Sequence, residues 1–231
     1  SGISDFLNSI SDLFFPRICL ACEKNLQAKG HLFCITCSYK IPITDQWVYG
    51  ENEFSAKFTG RVLIQQGASL YRFVPGGMLQ QVIHKLKYQD RPDIGLHIGR
   101  KAGHQIKTHW NLPDCIIPVP LHPKKLWKRG YNQAERLAAG ISEIIEVPVY
   151  ARGLIKSVAT TSQTSLHRQE RITNVEGSFL QNPSYDLRGK HILLVDDVLT
   201  TGATLEACAR VILNNSGSQV SMCTLAMGRM G

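Results

Sequence analysis

Apolar and polar positions along this chain fall into blocks of two kinds. Leu79, Val82, Ile83 and Leu86 recur at helical spacing, so Met78 to Tyr88 is predicted to be an amphipathic helix. Ile94 to Lys107 reads as a second helix, with further ones over Asn132 to Glu146 and Ala203 to Asn214. Asn215-Ser216-Gly217 supplies the stop for the last of these. The other blocks are short. Arg61 to Phe73 contains a β-rich run before the breaker Pro75-Gly76-Gly77. Asp114 to Pro120 is a short strand closed by prolines, and Val147 to Tyr150 another. Ile192-Leu193-Leu194-Val195 is uniformly apolar, as a central parallel strand should be, and Val220 to Ala226 is the last strand. Strands alternating with helices argue for an α/β fold, a parallel sheet flanked by helices on both faces. Ile41 to Arg61 reads as a linker and edge region. Pro120 to Arg136 opens as a basic loop, and Ala151 to Gly177 is a long polar, basic stretch without pattern.

Length adds that 231 residues hold one α/β domain and a small appendage. With 43% hydrophobic and 19% charged residues, a packed core is expected and disorder is not. No apolar run approaches the roughly 20 residues of a membrane helix. Phe6 to Phe15 mixes Asn, Ser and Asp with its apolar residues, unlike a signal peptide, so a cytoplasmic location is expected. The net charge of +8 favours anionic partners such as nucleic acid or phosphates, although an alkaline soluble protein would also carry it.

Four of the seven cysteines form two tight pairs, Cys19-x2-Cys22 and Cys34-x2-Cys37, with eleven residues between them. Such pairs suit a tetrahedral thiolate site for Zn2+. Two disulfides would need an oxidising compartment, and an iron–sulfur cluster also takes four thiolates. The spacing favours zinc. The intervening stretch is polar and too short for its own core, so a metal would have to hold it. A closed four-sulfur site leaves no position for substrate, which makes its role structural or binding. His31 is expected in solvent. Cys115, Cys208 and Cys223 lie in apolar runs and are expected as buried thiols.

The densest chemistry follows the apolar run at residue 195. Asp196-Asp197 is succeeded by Val198-Leu199 and then by Thr200-Thr201-Gly202-Ala203-Thr204, where a helix begins. In open α/β sheets ligands bind at the carboxyl ends of strands. A helix N-terminus offers free N–H groups to an anion, the threonine hydroxyls add donors, and Gly202 lets the backbone curl around a phosphate. Adjacent carboxylates cannot serve that phosphate. They suit neighbouring hydroxyls such as a ribose diol, or a Mg2+ ion. Together the two halves describe a phosphorylated sugar. A phosphate-binding loop of the Walker type is absent, because no GxxxxGK[ST] occurs.

Val195 to Val198 followed by Thr200 to Thr204 resembles the signature of type I phosphoribosyltransferases. The resemblance implies that Asp196 and Asp197 contact the ribose hydroxyls of phosphoribosyl diphosphate. It implies that Val198, Leu199, Thr200, Thr201, Gly202, Ala203 and Thr204 form the 5′-phosphate loop, and that Mg2+ bridges ribose and diphosphate. Pro118-Val119-Pro120-Leu121-His122-Pro123 with Lys128-Arg129-Gly130-Tyr131-Asn132-Gln133 is similar to the hallmark of the ComF family of competence-associated proteins. So are Gln163, Arg168, Glu170-Arg171 and Asn174, and so is the cysteine clip ahead of the domain. The likeness spans about Phe15 to Ala226, with no motif recognised over Ile43 to Gly60. It implies a type I phosphoribosyltransferase-like domain over residues 51–231, preceded by a zinc-finger module over 1–50 with its clip at 19–37.

By the same resemblance Lys87, Lys128, Arg129, Arg168 and Arg171 fall on the diphosphate side. For Lys87 a solvated helix end, and for the 120–136 segment a solvated turn, are the plain alternatives. Trp127 and Tyr131 among the basic residues would also suit stacking on bases, although Tyr131 is expected in the core. Ala151 to Gly177 resembles the hood loop that closes over substrate in this superfamily. Two functions follow. One is transfer of the phosphoribosyl group to a nitrogen nucleophile with release of diphosphate. The other is a single-stranded DNA-binding adaptor for DNA uptake, working with other uptake proteins, whose sugar-phosphate site is a sensor or relic. The acceptor is not legible, and the superfamily's frequent homodimers leave the oligomeric state open.

Overall fold

The computed structural model describes residues 18–26, 31–41, 43–89, 91–157 and 178–228. Four parallel strands form the central sheet: β1 (Gly67–Phe73), β2 (Cys115–Pro118), β5 (His191–Leu199) and β6 (Gln219–Gly228), in the order β1-β6-β5-β2. Side chains of β5 alternate between two cores. Leu193 and Val195 face one, and Ile192 and Leu194 the other. A strand covered on both faces must be apolar at every position, which is why this run shows no polar alternation.

Helices α3 (Met78–Tyr88), α4 (Pro92–His109) and α6 (Gln133–Ile145) cover the first face. Their buried stripes are those the spacing predicts: Leu79, Val82, Ile83 and Leu86 on α3, and Ile94, Ile98, Ala102 and Ile106 on α4. Helices α4 and α6 meet backbone to backbone at Gly99 and Gly140, where a Cβ on Gly99 would lie 2.2 Å from the Leu137 carbonyl. The second face carries α7 (Ala203–Leu213), the antiparallel pair β3 (Leu154–Lys156) with β4 (Phe179–Gln181), and the buried rings of Phe54 and Phe58.

Several expectations are corrected. Ile41 to Arg61 is more than a linker. It holds the short helix α2 (Glu53–Ala56), capped by Asn52, and buries Trp47, Phe54 and Phe58. Trp47 stacks on Trp110 with centroids 5.2 Å apart. The basic loop after β2 contains helix α5 (Pro123–Arg129), because Pro123 opens it, His122 caps it and Gly130 ends it in the left-handed region. Val147 to Tyr150 gives one bridge, Val149 to Ile116, which adds to the edge of β2. Strand β5 does not stop at Val195. It pairs with β6 through Asp196, Val198 and Leu199.

Candidate functional site

Both cysteine pairs converge. The four Sγ atoms of Cys19, Cys22, Cys34 and Cys37 lie within 4.8 Å of one another, and Cys22 and Cys34 are 3.7 Å apart. A tetrahedron of about 2.3 Å zinc–sulfur bonds has edges of about 3.8 Å, which the Cys22–Cys34 separation matches, so the cluster could hold such an ion. Local structure explains the convergence. The first pair sits on a tight turn closed by Glu23 N–H to the Cys19 carbonyl, while Cys34 caps and Cys37 lies within helix α1 (Ile35–Lys40). Burial works against ionisation of Cys19, but backbone amides at Cys34, Cys22 and Ala21 bring its thiol down to about 6. Burial pushes Cys37 up. The cysteine region shares the first core of the sheet, with Phe33 against Tyr71, and is tied to it by a Lys85–Glu23 ion pair of 2.9 Å. His31 is exposed, and Cys115, Cys208 and Cys223 are fully buried.

Near the carboxyl end of β5, Asp196 and Asp197 are consecutive residues of the strand, with Asp197 N–H donating to Asp196 Oδ1 at 2.8 Å. Burial and then the Asp197 charge push the Asp196 carboxyl up to about 7, against the pull of the Asp197 amide, Lys87 and Lys156. Lys87, at the end of α3, pairs with Asp197 through Nζ to Oδ2 at 2.9 Å. Lys87 is therefore not a solvated helix end. Lys156, at the end of β3, acts on Asp196 through its charge and was not singled out by sequence. No short motif marks it, because the β3–β4 hairpin that delivers it has no periodicity to read.

Past Leu199 the chain turns at Thr200, Thr201 and Gly202 into α7. Gly202 sits at φ 80°, ψ −4°, a conformation that side chains with a Cβ rarely take. A Cβ there would also meet the Phe58 ring at 3.1 Å. The amides of Thr201 and Gly202 donate to no protein atom among the described residues. That leaves free N–H groups at the positive end of an eleven-residue helix.

The element from Lys128 to Gln133 reaches the same region by a different route. The Tyr131 hydroxyl donates to the Leu86 carbonyl, and Arg129 lies 5.6 Å from the Tyr88 ring centre while donating to Gln133 Oε1 at 2.8 Å. Tyr131 is half-buried, packed against the core and not, as expected, within it, and Arg129 is anchored beside the end of α3 that carries Lys87. Lys128 is exposed on α5, and Trp127 is 89% exposed. Arg168 and Arg171, with the rest of the hood-like stretch 158–177, lie outside the described residues.

A parallel sheet, an acid pair at its carboxyl edge and an anion-receptive loop directly after define a phosphoribosyltransferase-type domain. Residues 86–231 match the phosphoribosyl transferase domain family. The chain is 32% identical over 226 residues to the DNA utilization protein YhgH of Shigella flexneri, covering 91% of this chain and 96% of that protein. It is 28% identical over 229 residues to competence protein F of Haemophilus influenzae, covering 92% and 98%. It is 26% identical over 215 residues to competence protein ComFC of Bacillus subtilis, covering 90% and 83%. The chain belongs to the ComF family of competence-associated proteins within the type I phosphoribosyltransferases.

Proposed function

We propose that the carboxyl edge of β5 binds phosphoribosyl diphosphate with Mg2+, and that the protein serves DNA uptake in natural competence, as the names of its relatives suggest for them. The observation that carries the reading is one continuous strand, loop and helix: two carboxylates, then free amides at a helix N-terminus, with Lys87 paired to Asp197. The acid pair would accept hydrogen bonds from the ribose diol. The 198–204 loop would hold the 5′-phosphate through N–H and hydroxyl donors. Hard carboxylate oxygens suit Mg2+, which when bound neutralises diphosphate charge. Lys87, Lys128, Arg129, Arg168 and Arg171 form the diphosphate-side set, stabilising the leaving group as its charge grows. Catalysis, where an acceptor is present, is then mostly positioning. The four cysteines bind one Zn2+ as a structural clip for the module 1–50. Replacing both Asp196 and Asp197 with Ala should abolish binding of phosphoribosyl diphosphate while circular dichroism stays native. Unchanged affinity in that folded variant would remove the assignment.

A second reading has its own support. Lys124, Lys125, Lys128 and the bare Trp127 ring share the exposed surface of α5, an arrangement that fits stacking on single-stranded DNA. On that reading the sugar-phosphate site is a sensor within an uptake adaptor. A steep fall of DNA affinity with salt, lessened by Lys128→Ala, would favour it.

A further inference from the structure

Resting on the phosphate-site reading, we infer that Lys57 and Arg61 are positioning residues for the 5′-phosphate loop, holding its carbonyls outward so that its amides face the anion. Lys57 Nζ donates to the Thr200 carbonyl at 3.1 Å. Arg61 Nη1 donates to the Thr201 carbonyl at 2.9 Å and to the Lys57 carbonyl at 2.9 Å. In a trans peptide the C=O and the following N–H point in opposite directions. Fixing the Thr200 and Thr201 carbonyls toward the 57–61 turn therefore aims the N–H groups of Thr201 and Gly202 the other way. Those are the two loop amides that donate to no protein atom among the described residues.

The clamp is itself braced. Arg61 Nε donates to Glu206 Oε2 at 2.8 Å, and Arg61 Nη2 pairs with the same oxygen. Glu206 lies in the first turn of α7, so one guanidinium ties loop to helix. Arg210 Nη2 closes the set, donating to Glu206 Oε1 and to the Arg61 carbonyl, each at 2.8 Å. Burial opposes the Glu206 charge, yet Arg210 and Arg61 hold its carboxyl below the usual range. Beneath the turn, Phe54 and Phe58 are buried, and the Phe58 ring lies against Gly202. The turn precedes residue 86, where the family match begins, so this chain supplies the clamp from outside the matched segment.

The test titrates the full chain with two probes, ribose 5-phosphate and magnesium pyrophosphate. Only the first presents a 5′-phosphate. Lys57→Met and Arg61→Ala are expected to weaken ribose 5-phosphate about tenfold or more, the scale of one charged hydrogen bond. Both should leave magnesium pyrophosphate within about twofold. Lys57→Arg, which keeps a donor for the Thr200 carbonyl, should restore the first affinity. Lys57 makes a partly exposed contact, so Lys57→Met carries the test if Arg61→Ala fails to fold. Equal losses for both probes would mean general loosening and overturn the clamp. A wild type that binds with unaffected variants overturns the clamp alone. A wild type that binds neither probe removes the phosphate-site reading and the clamp with it.

Discussion

Asp196→Asn is expected to stabilise the ligand-free protein at alkaline pH. Burial beside Asp197 holds the Asp196 carboxyl at about 7, against 3.8 for the ordinary group. A folded-state value above the unfolded one means the native protein binds this proton more tightly. The group therefore costs nothing well below pH 4, and the cost grows as pH rises until it is complete above about 7. Three pH units correspond to about 4 kcal/mol, and water reaching the half-buried carboxylate brings this to about 2–4 kcal/mol. Asparagine removes the charge and keeps an oxygen for the Asp197 amide. At pH 8, without Mg2+ or ligand, the variant should melt roughly 5 to 15 °C above wild type. At pH 5.5 the gain should be roughly half as large in free energy. Urea titrations at the two pH values measure it. A variant no more stable than wild type at pH 8, or one with the same gain at both, would refute the claim that the site holds a costly charge.

Other outcomes are equally concrete. Elemental analysis should find one zinc per chain, lost in Cys37→Ser; iron, or no metal, would overturn the clip. Gly202→Val places a β-branched residue at φ 80° against Phe58 and should lower phosphoribosyl diphosphate affinity at least about tenfold. An unchanged titration would show that the loop relaxes freely. Lys87→Met leaves Asp197 beside Asp196 without its cation, which should cost about 1–2 kcal/mol in urea unfolding at pH 8. No cost would place the pair among inconsequential surface contacts. Because ligand binding needs Asp196 ionised, affinity should fall as pH drops below about 7, which titrations at pH 6 and 8 would show.

Strong periodicity made most of the fold legible. Helix α3 spans Met78–Tyr88 as the spacing predicts, because its stripe of four apolar residues meets one core. The acid pair and glycine loop were legible because their chemistry is contiguous in sequence. Features that depend on distant partners were not. Family resemblance put Lys87 on the diphosphate side, but its pairing with Asp197 shows only when α3 ends beside that acid. Arg61 and Lys57 lay in a segment that read as linker, since Phe54 and Phe58 are buried by tertiary packing and not by any local period. The strand carries on through Asp196 to Leu199 because β6 runs alongside it as far as Met227, a fact of pairing invisible in an apolar-run count.

Calorimetric titration of the purified protein with phosphoribosyl diphosphate, with and without Mg2+, reads the sugar-phosphate site itself. Binding that requires Mg2+, or is strongly enhanced by it, is the expected result. Absence of binding in both conditions would contradict it and leave a phosphoribosyltransferase fold put to another use.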